Sequence, residues 1–252
     1  MPNPLPITLD SLKKNPKLPP RICAYGPPGL GKTTFCSKAP NPVFILTEDG
    51  LGDLDVTCFP LAKTYSDVTQ ALDVILTEAH DFKTLVLDSM DWLEPLIWEH
   101  VCKIKKVESI EDLKYGAGYI EACAILRSLM ILIDRIRVER GMIIILTAHS
   151  QVRKVEDPML ATYDQYCLKL NKRSSAILEE FSDVILFMNY QTTVMKEDSG
   201  FGGKRTRAIG NGERIMYTQG TPAFTAKNRY SLPPIMPLDW DVFYSAMTNK
   251  GK

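Results

Sequence analysis

The stretch Gly26-Pro27-Pro28-Gly29-Leu30-Gly31-Lys32-Thr33 matches the phosphate-binding loop pattern G-x-x-x-x-G-K-[ST], and it decides the fold. The apolar run Ile22 to Tyr25 precedes this loop, and Thr33 to Lys38 follows it with residues that can begin a helix. Glycines let such a loop fold closely around a pyrophosphate, so that successive backbone N–H groups point at the anion. The sequence therefore predicts a strand, a phosphate-binding loop and a helix in that order.

The residues of this loop have expected roles in nucleotide binding. The ammonium group of Lys32 is expected to reach the β- and γ-phosphates of ATP, and the Thr33 hydroxyl to hold Mg²⁺. A Gly/Pro turn with an incidental lysine is the alternative interpretation. The residues predicted to bind the nucleotide are Gly26, Pro27, Pro28, Gly29, Leu30, Gly31, Lys32, Thr33 and Thr34.

Length and composition limit the possible classes of protein. The chain has 252 residues, which suits one α/β domain, and its 30 basic side chains balance 30 acidic ones. Contacts with nucleic acid would therefore have to come from local basic patches. Its 6 cysteines are scattered without a C-x-x-C pair, which predicts reduced thiols of a cytoplasmic protein and no zinc site. We expect neither a signal peptide nor a membrane-spanning run.

Short apolar runs alternate with helical segments, which is typical of a mostly parallel sheet with helices on both faces. A helix is predicted over Ser66 to His80, and a second one carries an apolar stripe at helical spacing around Leu129 and Ile133. The predicted strands are Ile22 to Tyr25, Val43 to Thr47, Leu85 to Leu87, Met142 to Ala148 and Val184 to Met188.

The pattern of the sequence changes after Asn189, where alternating apolar and polar residues predict antiparallel hairpins near the C-terminus. At the other end, residues 1–20 hold 6 of the 17 prolines and predict an extended N-terminal arm. The predicted turns of the hairpins are Gly202-Gly203, Asn211-Gly212 and Pro233-Pro234.

A second motif, Leu85-Val86-Leu87-Asp88-Ser89, is an apolar strand that ends in an acid, as in the Walker B pattern. The carboxylate of Asp88 is expected to orient Mg²⁺. An aspartate in this place can also simply cap the next helix. Because Ser89 and not glutamate follows Asp88, the catalytic base has to come from elsewhere in the chain.

The stretch Phe44-Ile45-Leu46-Thr47-Glu48-Asp49-Gly50 is another apolar strand that ends in acids. With the two motifs above, it resembles the RecA-like recombinase and hexameric helicase ATPases. The resemblance implies that Glu48 is the general base that polarises the attacking water, with Asp49 as the second choice. An ordinary acidic turn is the alternative interpretation.

Two further segments carry the same resemblance. Ile144 to Gln151 is a buried strand that runs into polar residues, and the resemblance implies that His149 or Gln151 senses the γ-phosphate. Ala226 to Pro233 looks like the K-N-K or K-N-R segment of this family, which implies that Lys227 and Arg229 reach the ATP of a neighbouring subunit. The alternatives are a structural histidine and a solvated strand edge.

The resemblance covers about residues 20 to 245, and the segment Tyr115-Gly116-Ala117-Gly118-Tyr119 shares it. In texture the chain is most similar to the phage and bacterial RecA-like family that includes single-strand-annealing recombination proteins. The resemblance implies a RecA-like P-loop NTPase domain over residues 21–248. It also implies a homo-oligomer with nucleotide at the subunit interfaces.

Two basic segments are candidates for binding single-stranded DNA. Gln151 to Arg173 interleaves cations with Tyr163 and Tyr166, and Lys103 to Lys106 follows the Walker B strand by a short helix. A charged segment is also compatible with an ordinary solvated surface. The residues predicted to contact DNA are Lys103, Lys105, Lys106, Arg153, Lys154, Lys172 and Arg173.

The leading interpretation is a Mg²⁺-dependent ATP hydrolase that binds single-stranded DNA in phage-type homologous recombination or strand annealing. Its further partner would be a single-strand-binding or annealing protein. A P-loop small-molecule kinase is an alternative, with Lys204 to Arg207 as its nearest Arg-rich lid. A third interpretation is a nucleotide-binding adaptor for a helicase or terminase.

Overall fold

A computed structural model describes residues 8, 9, 12, 14, 16–158, 161–199 and 203–248. The side chains of residues 192–199 and 203–211 lie outside this description. Most of the predicted N-terminal arm, in residues 1–7, 10, 11, 13 and 15, also lies outside the described residues. Residues 16–20 have neither helix nor strand, and the carbonyl of Pro20 accepts a hydrogen bond from the backbone of Ile144.

One sheet of nine strands forms the centre of the described part of the chain. Its strand order is β2-β3-β4-β1-β6-β7-β9, while β5 pairs with β4 and β8 pairs with β6. The strands are β1 (Arg21–Gly26), β2 (Pro42–Leu46), β3 (Thr84–Asp88), β4 (Ile143–Val155), β5 (Tyr163–Leu168), β6 (Val184–Ser199), β7 (Gly203–Tyr217), β8 (Lys227–Asn228) and β9 (Ile235–Pro237).

The five strands β2, β3, β4, β1 and β6 pair in parallel. They are the five apolar runs predicted from the sequence, and their paired segments are buried because helices cover both faces of the sheet. The antiparallel pairs β6–β7 and β7–β9 follow towards the C-terminus. These pairings confirm the predicted α/β fold class, with a mostly parallel sheet and antiparallel strands near its end.

Two hydrophobic clusters lie on opposite faces of the sheet. The larger one packs α2, α3, α4 and α5 against it, and the smaller one packs α1 and α6. The predicted stripe is confirmed, because Leu129 and Ile133 are buried in the larger cluster. The helices are α1 (Lys32–Ser37), α2 (Tyr65–Thr77), α3 (Met90–Lys105), α4 (Ala117–Glu139), α5 (Lys172–Phe181) and α6 (Trp240–Thr248).

Helix α4 corrects one expectation. The segment Lys114–Glu139 is long enough to cross a membrane, and an 18-residue window of it has a mean hydropathy of 1.6. The prediction that no apolar run approaches that length is therefore wrong. One side of α4 nevertheless packs in the domain core against α2, α3 and α5, which accounts for much of its apolar character.

Strand β4 continues seven residues beyond Ala148, where the sequence predicted that the sensor strand ends. Its last six residues pair antiparallel with β5, so most of the predicted flexible segment is a β-hairpin followed by the start of α5. Burial alternates along this part of β4: Val152 and Lys154 are exposed, whereas Gln151, Arg153 and Val155 are partly buried, as is typical of a strand with one solvated face.

Strands β6 and β7 form a long hairpin that extends beyond the end of β1. Only Val184 to Phe187 of β6 pair with β1, whereas β6 remains paired with β7 as far as Ser199. The predicted turn at Asn211-Gly212 is wrong, because both residues lie within β7 beside a register shift opposite Tyr190 and Thr192. Gly202 of the predicted Gly202-Gly203 turn lies outside the described residues.

Asp183 ties the beginnings of β1 and β6 together. Its carboxylate accepts hydrogen bonds from the backbone N–H and the guanidinium of Arg21, and it also binds Arg229 at 3.0 Å. Arg137 of α4 approaches the same carboxylate within 3.7 Å. Burial would raise the pKa of Asp183, but the hydrogen bonds from Arg21 and the charges of Arg21 and Arg137 outweigh it and hold this pKa below its usual value.

We predict that Asp183→Asn destabilises the fold by about 3 kcal/mol at pH 7, because it leaves buried guanidinium groups without their anion. The lowered pKa means that this contribution is present above the usual aspartate pKa of about 3.9, and is lost as the pH falls through the native value. Urea unfolding across this range measures the effect, so the gap between variant and wild type should close in acid. Asp134→Asn, at a carboxylate 38% exposed, is the control and should cost under about 1 kcal/mol. An equal loss in both variants would contradict the prediction.

Candidate nucleotide-binding site

The phosphate loop connects the end of β1 at Gly26 to the start of α1 at Lys32. A Cβ atom at Gly26 would lie 2.3 Å from the carbonyl oxygen of Met188, so β6 can pass this close only because residue 26 is glycine. Gly31 has a φ of 102°, in the region that favours glycine. The two glycines of the motif therefore meet steric and conformational requirements of this backbone.

The side chain of Lys32 points back into the loop. It is 6% exposed, and its ammonium group donates to the carbonyls of Gly26 at 3.2 Å and Pro27 at 3.0 Å. Burial lowers the pKa of Lys32, while the negative charges of Asp88 and Glu48 oppose that shift. The loop therefore holds a desolvated cation at its centre, which suits the binding of an anion.

Asp88 lies at the end of β3 within reach of the loop. Its Oδ2 accepts a hydrogen bond from the Thr33 hydroxyl at 2.8 Å, and its Oδ1 accepts one from the buried Thr147 hydroxyl of β4. A hydroxyl beside a carboxylate supplies the hard oxygen ligands that Mg²⁺ prefers. The residues predicted to hold the metal therefore lie together, and their chemistry fits Mg²⁺.

Glu48 lies two residues after the end of β2. The Thr47 hydroxyl donates to the Ser89 carbonyl at 2.7 Å and accepts from the Ser89 N–H at 2.9 Å, which fastens the end of β2 to the residue after Asp88. Glu48 is half-buried, and burial raises its pKa, while the charge of His149 acts in the opposite direction. Asp49, the second choice for the base, is exposed.

His149 is held by a residue that sequence reasoning missed. Asp91, in the first turn of α3, accepts a hydrogen bond from the backbone N–H of His149 and lies 2.9 Å from its Nδ1. Burial would raise the pKa of Asp91, but the hydrogen bonds from His149 outweigh it and lower this pKa. The signal in the sequence was a second acid only three residues after Asp88.

Gln151 points elsewhere. Its amide nitrogen donates to the carbonyl oxygens of Leu168 and Leu170, so it fastens β4 to the chain after β5. His149 is therefore the better placed of the two sensor candidates. It interacts electrostatically with Glu48 and Asp91, and both of these carboxylates act on Lys32.

Lys227 and Arg229 lie far from the phosphate loop of the same chain. Arg229 binds Asp183, which also binds Arg21 at the start of β1, whereas the loop begins at the other end of that strand. Five residue steps along β1 correspond to about 17 Å. Lys227 donates to the carbonyl of Glu179 at 2.6 Å. The fold does not bring either cation to its own nucleotide site.

The predicted DNA contacts divide into two groups. Arg153 is partly buried and donates to the Leu170 carbonyl, so its guanidinium is engaged within the domain. The remaining six are exposed, namely Lys103, Lys105, Lys106, Lys154, Lys172 and Arg173.

Comparison with known proteins identifies the family of this chain. Residues 18–230 match the sequence model of the AAA_24 family, described as AAA domain. The chain belongs to this family. The match and the order of the sheet confirm the predicted P-loop ATPase core. The assignment of the nucleotide to Gly26 to Thr33 stays a prediction from the motif.

Among solved structures, this AAA domain is similar to the crystal structure of the RadB recombinase. The sequences are 12% identical, the match covers 79% of this chain and 81% of that chain, and the TM-score is 0.45. No curated protein sequence matches the chain.

Proposed function

We propose that this AAA domain is a Mg²⁺-dependent ATP hydrolase that binds single-stranded DNA in the cytoplasm, in phage-type recombination or strand annealing. One observation carries the ATPase part of the proposal: Thr33 and Asp88 share a hydrogen bond at the mouth of a loop that encloses Lys32. A nucleoside triphosphate with its Mg²⁺ requires a hydroxyl and a carboxylate for the metal and a buried ammonium group for the phosphates.

Each residue of the site has a defined part in hydrolysis. Lys32 would exchange its loop carbonyls for phosphate oxygens, and Thr33 and Asp88 would hold Mg²⁺, which would supply positive charge beside the phosphates. Glu48 takes the proton of the attacking water. Asp91 orients His149, whose ring donates a hydrogen bond to the terminal phosphate. Because His149 lies on β4, this contact couples the terminal phosphate to that strand.

We predict that Lys32→Ala abolishes ATP binding, because it removes the cation inside the loop. Glu48→Gln keeps the shape of the side chain without its basicity, so binding should stay near wild type while turnover falls by about 10² to 10⁴. Calorimetry measures ATP binding, and phosphate release measures turnover.

Since burial raises the pKa of Glu48, wild-type turnover should rise with pH through a midpoint above the usual glutamate value of about 4.3.

Asp49→Asn is the matched control for the base, because Asp49 is the neighbouring exposed acid. Loss of turnover in Asp49→Asn alone would move the base by one residue. Normal turnover in both variants would exclude both acids as the base, whereas ATP binding without turnover in the wild-type chain would favour the nucleotide-binding adaptor. Transfer of phosphate to a small molecule would favour the kinase, whose lid candidate Lys204 to Arg207 lies on β7.

The DNA part of the proposal is supported by the way α4 brings the two basic segments close. Lys105 pairs with Glu121 in the second turn of α4 at 3.4 Å, and the charge of Arg173 acts on Cys123 in the same part of the helix. Tyr115 is 100% exposed and lies two residues before the start of α4. Phosphates can track these cations while a base stacks on the tyrosine. We define the basic surface as Lys103, Lys105, Lys106, Tyr115, Lys172 and Arg173.

We predict that affinity for single-stranded DNA falls steeply with salt. Each neutralised lysine or arginine of the basic surface should lower the slope of log affinity against log salt by roughly 0.7. Tyr115→Ala should weaken binding without changing the slope, because it removes stacking and not charge. Fluorescence anisotropy with a labelled oligonucleotide measures both. Lys83→Ala, at an exposed lysine outside the surface, is the control, and a salt-independent affinity would refute the interface.

The location of Lys227 and Arg229 supports action on the ATP of an adjacent subunit. Arg229 is 54% exposed even though it binds Asp183, so its guanidinium remains accessible to another molecule. A cation supplied from outside stabilises the charge of the transition state and makes hydrolysis depend on assembly. The proposal therefore includes a homo-oligomer with nucleotide at its interfaces.

We predict that Arg229→Ala binds ATP almost normally and hydrolyses it poorly. Mixing it with Glu48→Gln should restore turnover, because an Arg229→Ala subunit keeps Glu48 and can receive the arginine of its neighbour. Phosphate release from the mixture is compared with that from each variant alone. Arg135→Ala, which removes an exposed arginine of α4, is the matched control. No recovery between subunits that demonstrably exchange would exclude action in trans.

A further inference from the structure

The order of the sheet gives the phosphate loop two different flanks. Strands β4 and β3 lie on one side of β1 and carry His149 and Asp88, while β6 and β7 lie on its other side. The groups proposed for the terminal phosphate all belong to the first flank. A nucleotide with its γ-phosphate there has room to direct its ribose and base away from these groups, towards the second flank.

Arg214 of β7 lies at this second flank, directly on the phosphate loop. Its Nη1 donates to the carbonyl of Leu30 at 3.2 Å. A Cβ atom at Gly31 would lie 2.7 Å from the same Nη1 and 3.8 Å from a methyl carbon of Leu238, so three residues converge there. The backbone N–H of Leu238 in turn donates to the carbonyl of Arg214 at 3.0 Å.

This convergence suits an aromatic, partly polar ligand. A guanidinium is planar and stacks on aromatic rings while its remaining N–H groups stay available for hydrogen bonds. Leu238 is half-buried and adds an apolar side, and the lack of a Cβ atom at Gly31 lets the guanidinium of Arg214 lie against the phosphate loop. Tyr190, opposite Arg214 in the register of β6 and β7, is 43% exposed and shares its face of the hairpin.

We propose that Arg214 and Leu238 form the subsite for the nucleoside part of ATP, in the same chain as the phosphate loop. The planar face of Arg214 stacks on the base, and Leu238 packs against the base or ribose. This proposal rests on the proposed function, since it assumes a nucleotide in the loop. It adds a role for the base of the β6–β7 hairpin, which no motif in the sequence indicates.

The test compares ATP with inorganic tripolyphosphate, which has the phosphates without the nucleoside. Both are titrated calorimetrically with Mg²⁺ into the full chain. Arg214→Ala should weaken ATP binding about 10-fold and leave tripolyphosphate binding within about twofold of wild type. Arg214→Lys keeps the charge and a donor for Leu30 but loses the planar face, so it should behave as Arg214→Ala does.

Arg127→Ala, at an arginine 61% exposed on α4, is the matched control and should bind both probes as wild type does. Full ATP affinity in Arg214→Ala overturns the subsite. Wild-type ATP affinity in Arg214→Lys would also overturn it, as would an equal loss of ATP and tripolyphosphate binding in Arg214→Ala. Either result would assign Arg214 to the phosphates or to the loop itself. A wild-type chain that binds neither probe overturns the proposed function and the subsite together, whereas the other outcomes leave the proposed function standing.

Discussion

The carboxylate of Asp88 is the point on which the site depends. One oxygen accepts from Thr33 at the start of α1, and the other accepts from Thr147 on β4. The Asp88 side chain is only 4% exposed, and each of its oxygens accepts a hydrogen bond from a hydroxyl group. These two hydrogen bonds fix the side chain in one orientation. The phosphate loop, the Walker B strand and the sensor strand are thereby set relative to one another by two hydrogen bonds.

The electrostatics of the site are those of a buried cation surrounded by carboxylates. Lys32 is desolvated, and Asp88, Glu48 and Asp91 each favour its charged form. The same crowding raises the pKa of Glu48, because neighbouring negative charges and burial both disfavour its ionised form. One cluster therefore contains a cation suited to phosphates and a carboxylate suited to accepting a proton, and the difference between them follows from their surroundings.

The sequence predicted most of the fold because the parallel strands are short apolar runs and the loop motif requires a strand before it and a helix after it. It was less informative wherever a contact joins distant residues. The hydrogen bond from His149 to Asp91 spans 58 positions, and the position of Asp91 three residues after Asp88 did not indicate that His149 is its partner. The extension of β4 was missed because 5 of its 7 residues are polar. The contact of Arg214 with Leu30 spans 184 positions.

The central position of β1 has a consequence for the order in which the molecule can be assembled. Its neighbours in the sheet are β4 and β6, which begin more than a hundred residues later, whereas β2 and β3 are close in sequence and pair with each other. Pairings between strands that are distant in sequence have to close long loops, which slows their formation. The phosphate loop is thus synthesised before β4 and β6, the two strands that flank β1. A growing chain that has not reached Met188 lacks the backbone that packs against Gly26.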